Sequence, residues 1–242
     1  MKKSILFITI LFTISLCHSQ NKLENEILEA YDKSVSSQTD QFQPIIDSLK
    51  ASFIKTKDPI YNYWIAFAMY RQAILSMINK NDNKALKILQ KGIERLEKSS
   101  NKSSENLALQ GSMLSFSINF QSDLAAIISA KANILYNKAI QENDHNLRAY
   151  LGVGRSDYYK PTEYGGGLKV ESFLKQALNK PDKSGNHALA PTWGRNQVYY
   201  YLASYYKREN RIGEAKLFCS NGLKLFPDDR QLKELKKGLG LN

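Results

Sequence analysis

Beyond the amino-terminal segment, few residues have types that could do chemistry, and their spacing argues against catalysis. His145 and His187 stand far apart, neither in a metal-ligand spacing such as His-Glu-x-x-His. Gly152-x-Gly154 lacks the third glycine and the preceding strand of a dinucleotide fingerprint. Cys219 reads as a small buried hydrophobe rather than a nucleophile. Glu94 and Glu97 read as ordinary solvated surface. The glycine run in Lys160-Pro161-Thr162-Glu163-Tyr164-Gly165-Gly166-Gly167 leads into a helix start near Leu168, where free N–H groups could hold an anion. It lacks the Gly-Lys-Ser/Thr ending of a phosphate loop, so the simpler reading is a tight turn. The expectation is a protein that is no enzyme, with no cofactor and no metal.

The elements that carry these residues are helical. Apolar residues recur at helical spacing almost throughout, and no stretch alternates as a strand would. Leu23, Ile27, Ala30 and Tyr31 mark a first helix, and Ile45, Ile46, Leu49, Phe53 and Ile54 a second. Pro59 opens a third, which runs to about Ile78. Asn81-Asp82-Asn83 turns the chain into a fourth, bearing Ala85, Leu89, Gly92 and Leu96. Further helices are expected over about 105–116, 124–142, 147–159 and 168–178. Pro191 suits the first turn of a helix reaching Arg208, followed by 213–226 and a short tail to about 237. The fold class expected is all-α, about eleven helices in one continuous array.

The first residues read as an export signal. Lys2 and Lys3 precede an apolar run from Ile5 to Leu16, shorter than the roughly 20 residues of a membrane span. Cleavage after Ser19 fits small residues at the two required places and gives a signal peptide over residues 1–19. Ile14-Ser15-Leu16-Cys17 resembles a lipobox, with a bulky Leu where that motif has a small residue, so a membrane attachment enters only through a lipid on Cys17. An anchor that is never removed is the remaining alternative. Losing Lys2 and Lys3 takes the formal charge from +11 to +9, a balance that favours acidic partners. With cleavage after Ser19, Cys219 is left without a partner for a disulfide, so roughly 220 residues must be stabilised by their core. Export to the periplasm or cell envelope also argues against nucleic acid as a partner.

Near its end the chain reads Tyr199-x-x-Leu202-Ala203-x-x-Tyr206, then Ala215-x-x-x-Cys219-x-x-Gly222, then Pro227. This closely resembles the tetratricopeptide repeat, with Tyr199 in place of Trp, Ala203 in place of the small Gly and Cys219 in place of an aromatic residue. Ala203, Ala215 and Gly222 would sit where two helices approach closely, with Tyr199, Leu202, Tyr206 and Cys219 filling the space around them. Upstream units are more degenerate: Ala132-x-x-x-Tyr136-x-x-Ala139 with Tyr150-x-x-Val153-Gly154, Leu107-x-x-Gln110-Gly111-x-x-Leu114, and Ala85-x-x-x-Leu89-x-x-Gly92. The aligned residues Ala85, Ala132, Val170 and Ala215 lie 47, 38 and 45 apart, against an ordinary period of about 34, so the superhelix should be irregular. The resemblance divides the chain into capping helices over 20–57, a repeat array over 58–228 and a capping helix over 229–242. The Pro161 to Gly167 insertion is also similar to one in exported bacterial repeat proteins, including the helical T-component of periplasmic uptake systems.

The resemblance implies a function and a face. In this family partners lie along the concave surface made by the first helix of each unit. Here that stripe holds Gln197, Tyr200, Ser204, Lys207 and Arg208 in the last unit, and Arg148, Leu151, Arg155, Tyr158 and Tyr159 in the unit before. Arginine forks onto carboxylates, and tyrosine covers apolar groups while keeping a polar tip. The expectation is a protein-interaction module that holds a protein or peptide partner, acidic or carboxylate-bearing, with a small-molecule-handling subunit of an uptake system as the alternative.

Overall fold

The computed structural model describes residues 22–37 and 39–241. The expected signal peptide, its expected cleavage position and Cys17 lie outside the described residues. Among them are eleven α-helices and no strand: α1 (Lys22–Ser37), α2 (Phe42–Thr56), α3 (Ile60–Ile78), α4 (Asp82–Lys98), α5 (Ser104–Ser117), α6 (Ala125–Glu142), α7 (Leu147–Tyr159), α8 (Val170–Leu178), α9 (Arg195–Arg208), α10 (Ile212–Leu225) and α11 (Arg230–Gly238). The all-α repeat array expected from periodicity is the architecture found.

Local sequence explains where the helices begin. Asn81, Ser103, Asn146 and Asp229 each accept a first-turn backbone N–H at the start of α4, α5, α7 and α11, which satisfies donors that have no partner inside the helix. Asp58 does the same service for Ile60 beside Pro59. The helices then pair as antiparallel hairpins, α3 with α4, α5 with α6, α7 with α8 and α9 with α10, and α1 and α2 pack together against α3. The first helices α3, α5, α7 and α9 touch one another in sequence, whereas the second helices touch only the hairpin that follows. An array whose first helices lie closer together than its second helices must curve toward the first, so these line the inner, concave surface. The second helices form the outer wall.

Small residues set the spacing, as the repeat pattern requires. A Cβ on Gly222 would come within 2.8 Å of the Cβ of Tyr199 across the α9–α10 hairpin. Ala203, Ala215 and Cys219 are fully buried there, with Leu202 and Tyr206 around them. The Cys219 thiol, pushed up in pKa by burial, donates to the Leu232 carbonyl on α11, 3.5 Å away. The apolar interior is continuous from Ile27 in α1 to Leu239 after α11, and its densest part is an aromatic knot of Tyr63, Trp64, Phe67 and Trp193.

Three expectations need correction. Ile54 is 66% exposed and does not contribute to the inner face of α2. Helix α8 begins at Val170 rather than Leu168, which is 82% exposed. Most consequentially, Pro191 does not start a helix: α9 begins at Arg195, and residues 179–194 cross the array as an irregular strap. The strap is held by groups far away in sequence, which local reasoning about proline does not see.

That strap runs along the amino-terminal ends of the first helices. Ser184 Oγ donates to Glu105 in α5, and Asn143 Nδ2, after α6, donates to the Ser184 carbonyl. His187 lies 3.1 Å from Asp58, and the Leu189 carbonyl accepts from Trp64 Nε1 at 2.9 Å. The Thr192 N–H and hydroxyl donate to Glu24 in the first turn of α1. The Trp193 indole donates to Tyr63 at 2.8 Å and stacks on Phe67. Glu24 and Glu105 both occupy first turns, where the helix dipole favours negative charge.

Candidate functional site

With its amino-terminal end crossed by the strap, the concave surface divides into two parts. Arg148 and Arg155 are both on α7, seven residues and thus about 10 Å apart along the helix, and they have opposite fates. The Arg148 side chain is 1% exposed. Its guanidinium forks onto Glu105 at 2.6 and 2.7 Å and donates to the carbonyls of Trp193 at 2.7 Å and Asp182 at 2.8 Å. Every face of that fork is occupied, so Arg148 holds the strap and is not a ligand-binding residue. This corrects the sequence expectation: helical register placed it on the inner face, but nothing local showed that another part of the chain covers it.

Arg155 has no such partner. Among the described residues no carboxylate pairs with it. Its guanidinium lies 3.5 Å from the Tyr70 hydroxyl of α3 and close to the hydroxyls of Tyr136 and Tyr201. Burial works against its charge, and the surrounding tyrosine oxygens more than offset that, so its pKa is raised and it stays a cation. Burial likewise pushes Tyr201 well above the ordinary tyrosine value, which keeps its hydroxyl protonated.

The tyrosines are placed by all four repeat hairpins. Tyr136 comes from the outer helix α6 and passes between α5 and α7, because both present a glycine to it. A Cβ on Gly152 would lie 2.1 Å from Tyr136 Cε1, and one on Gly111 would lie 2.8 Å from the same atom. The ring threads between the two helices, and its hydroxyl emerges 3.2 Å from Ser115 on α5. From α9, Tyr201 meets Tyr158, Tyr159 and Tyr200 at centroid distances of 5.5, 5.9 and 5.2 Å, each edge to face. Tyr70 meets Phe116 in the same way on the other side. The result is one guanidinium in an aromatic surround, with Tyr159 66% exposed at its rim. A cation fixed among hydroxyl donors and ring faces is equipped to take a carboxylate attached to an apolar or flat group.

The remaining expected residues are distributed around this centre. Tyr158 and Tyr200 line it, and the Ser204 Oγ is buried one turn below Tyr200 with no hydrogen-bond partner. Arg208 lies at the edge, donating to the Tyr158 carbonyl at 2.7 Å with its guanidinium over the Tyr158 ring. Lys207 is exposed and turned toward Gly238 near α11, away from Arg155. Sequence reasoning did not assign Tyr70, Tyr136 and Tyr201 to the site. Tyr136 fills a packing slot in the repeat pattern, and only the glycines facing it show that its hydroxyl passes through.

The glycine loop is a turn. Gly165 and Gly167 have φ of 78° and 92°, and the N–H groups of Gly165, Gly166 and Gly167 donate to the carbonyls of Thr162, Pro161 and Asp157. The Asp157 carboxylate then accepts the Lys169 N–H at 2.6 Å and pins the start of α8. With these donors engaged, the loop has no vacant cradle for an anion. Among the described residues no cluster of three or more His, Cys, Asp or Glu could hold a metal, and no helix is long and apolar enough to cross a membrane.

Comparison with protein-family models and with curated proteins gives no match. Solved structures do share the fold. TTC0263, a thermophilic tetratricopeptide-repeat protein of Thermus thermophilus, superposes with a TM-score of 0.57 at 16% identity over 89% of this chain and 97% of its own. The HusA haemophore from Porphyromonas gingivalis superposes with a TM-score of 0.50 at 20% identity over 75% of this chain and 94% of its own. Hairpin pairing, inner and outer helices and these superpositions agree: the chain has the tetratricopeptide-repeat fold, an irregular α-solenoid.

Proposed function

We propose that the protein is a non-catalytic binding protein of the periplasm or cell envelope, which holds a partner through a carboxylate seated on Arg155. Folds of this kind commonly serve as interaction scaffolds and are typically not catalytic. The observation that carries the reading is the Arg155 guanidinium, set among tyrosine hydroxyls with no carboxylate paired to it among the described residues. The tyrosine hydroxyls stabilise this part-buried cation without neutralising it, and an incoming carboxylate adds charge-assisted hydrogen bonds and the missing negative charge. The partner fitting this site is an acidic peptide segment, with apolar neighbours covered by Tyr158, Tyr159 and Tyr200. Calorimetric titration with a Glu-rich peptide and its Gln-substituted counterpart tests the reading. Binding of the Glu form alone, lost in Arg155→Gln, supports it; equal binding of both forms contradicts it.

A second reading is favoured by the strap. By covering the amino-terminal half of the inner surface it leaves a compact aromatic site rather than a long open groove, which suits a small carboxylate-bearing molecule. HusA is named a haemophore, so haem is the first such molecule to try. Haemin that binds saturably to the wild type but not to Arg155→Gln, with no peptide binding, would select this reading over the first.

A further inference from the structure

Away from Arg155, a second arginine has no carboxylate paired with it among the described residues. Arg71 on α3 makes no hydrogen bond or ion pair among the described residues, and its Nε is fully buried with nothing to donate to. Its guanidinium lies over the Tyr31 ring of α1, 4.3 Å from the centroid, and burial lowers its pKa. Arg71 lines a cleft of about 470 Å³ between α1, α3, the strap and the first turn of α9. That volume falls within the roughly 300–1,000 Å³ of small-ligand pockets.

Arg71 and Lys183 are the cleft's cations for which the described residues provide no ion pair, and of the two Arg71 sits beside the apolar wall, with Asp32 acting on it only at longer range. Glu24 reaches the same cleft, but both its oxygens accept from Thr192. Arg195 is engaged by Asp182 at 2.6 Å and by the carbonyls of Leu178 and Lys180. Across from α3, helix α9 starts at Gly194 with no side-chain cap, so its positive end also faces the cleft. The walls include the apolar side chains Leu28, Phe67 and Trp193.

We propose that this cleft is a second binding site, distinct from Arg155, which takes a small carboxylate with an apolar body: the carboxylate on Arg71 and the body against Leu28, Phe67 and Trp193. The strap then has a role beyond closure, since it supplies one wall of the site.

The test is calorimetric titration of the whole protein with octanoate and 4-phenylbutyrate, alongside octanol and octylamine as uncharged and cationic controls. The expected result, read in the Arg155→Gln background so that the first site does not contribute, is saturable binding of at least one carboxylate, weakened tenfold or more when Arg71→Gln is added, which separates this site from the first. Because Arg71→Gln removes a part-buried charge with no ion-pair partner and only the Tyr31 ring contact, the unliganded variant should melt close to the wild-type temperature. Absence of saturable binding by both carboxylates overturns the proposal, as does equal binding by octanol or by Arg71→Gln. A clear fall in the variant's melting temperature would mark Arg71 as structural and overturn it too.

Discussion

The backbone N–H of Thr192 donates to the carboxylate of Glu24 at 2.8 Å, joining the strap to the first helix across 168 positions of sequence. The segment between the third and fourth hairpins is thereby tied back to the first helix. Burial raises the Glu24 pKa above 4.5, with the Thr192 hydrogen bonds working in the opposite direction. The folded state therefore binds this proton more tightly than the unfolded chain, and Glu24's contribution to stability declines as pH climbs past 4.5. Glu24→Gln keeps an acceptor for Thr192, so its stability at neutral pH should stay within about 1 kcal/mol of wild type, with a flatter acid profile. Glu24→Ala strands the Thr192 N–H and should cost about 1–3 kcal/mol by urea unfolding.

Arg148 makes a harsher prediction. Arg148→Ala leaves Glu105 part-buried without its fork and releases the carbonyls of Trp193 and Asp182. Breaking a buried pair from one side costs about 3–5 kcal/mol. Thermal melting should fall steeply, and tryptophan emission should shift red as Trp193 loses its seat on Phe67.

The passage of Tyr136 between two glycines is equally specific. Gly152→Ala puts a methyl group 2.1 Å from a ring that is fully buried and closed on its other side by Gly111. Overpacking of this kind costs about 1–3 kcal/mol. Ligand affinity should fall with stability, because the Tyr136 hydroxyl moves away from Arg155. Tyr136→Phe, which keeps the ring, should weaken binding while costing only about 1 kcal/mol of stability.

At the other end of the array Glu171 of α8 joins Lys175 at 2.6 Å and Arg211, before α10, at 2.6 Å. The Lys175 and Arg211 hydrogen bonds hold its pKa at about 2, against the smaller upward push of burial. A depressed carboxylate contributes stability that is present above 4.5 and lost as pH falls toward about 2. The side chain is partly exposed at the protein surface, so Glu171→Gln should cost no more than about 1 kcal/mol at pH 7 and should flatten the acid limb between those values.

Much of the fold was legible because helical hairpins are local. Periodicity marks each helix, and the Tyr199, Ala203, Ala215 and Gly222 spacing follows from close approach within one hairpin. The strap was not legible, because what fixes Pro191 to Gly194 is Glu24, Tyr63 and Arg148, and no local pattern joins them. The same blindness misassigned Arg148 and passed over Tyr201, whose neighbours Tyr158 and Tyr159 belong to another hairpin. Arg155 was legible from register alone, but not that no carboxylate among the described residues pairs with it.

The central claim is that Arg155 is kept without a counter-ion for a ligand's carboxylate. The most direct measurement is the melting temperature of wild type and Arg155→Gln, each with and without a saturating Glu-rich peptide or haemin. A ligand that binds only the folded state raises its stability by mass action. The account predicts a ligand-induced rise in wild type that is absent in Arg155→Gln, with the two unliganded proteins differing by no more than about 1 kcal/mol. An equal rise in both proteins, or an unliganded variant destabilised as heavily as Arg148→Ala, would contradict it.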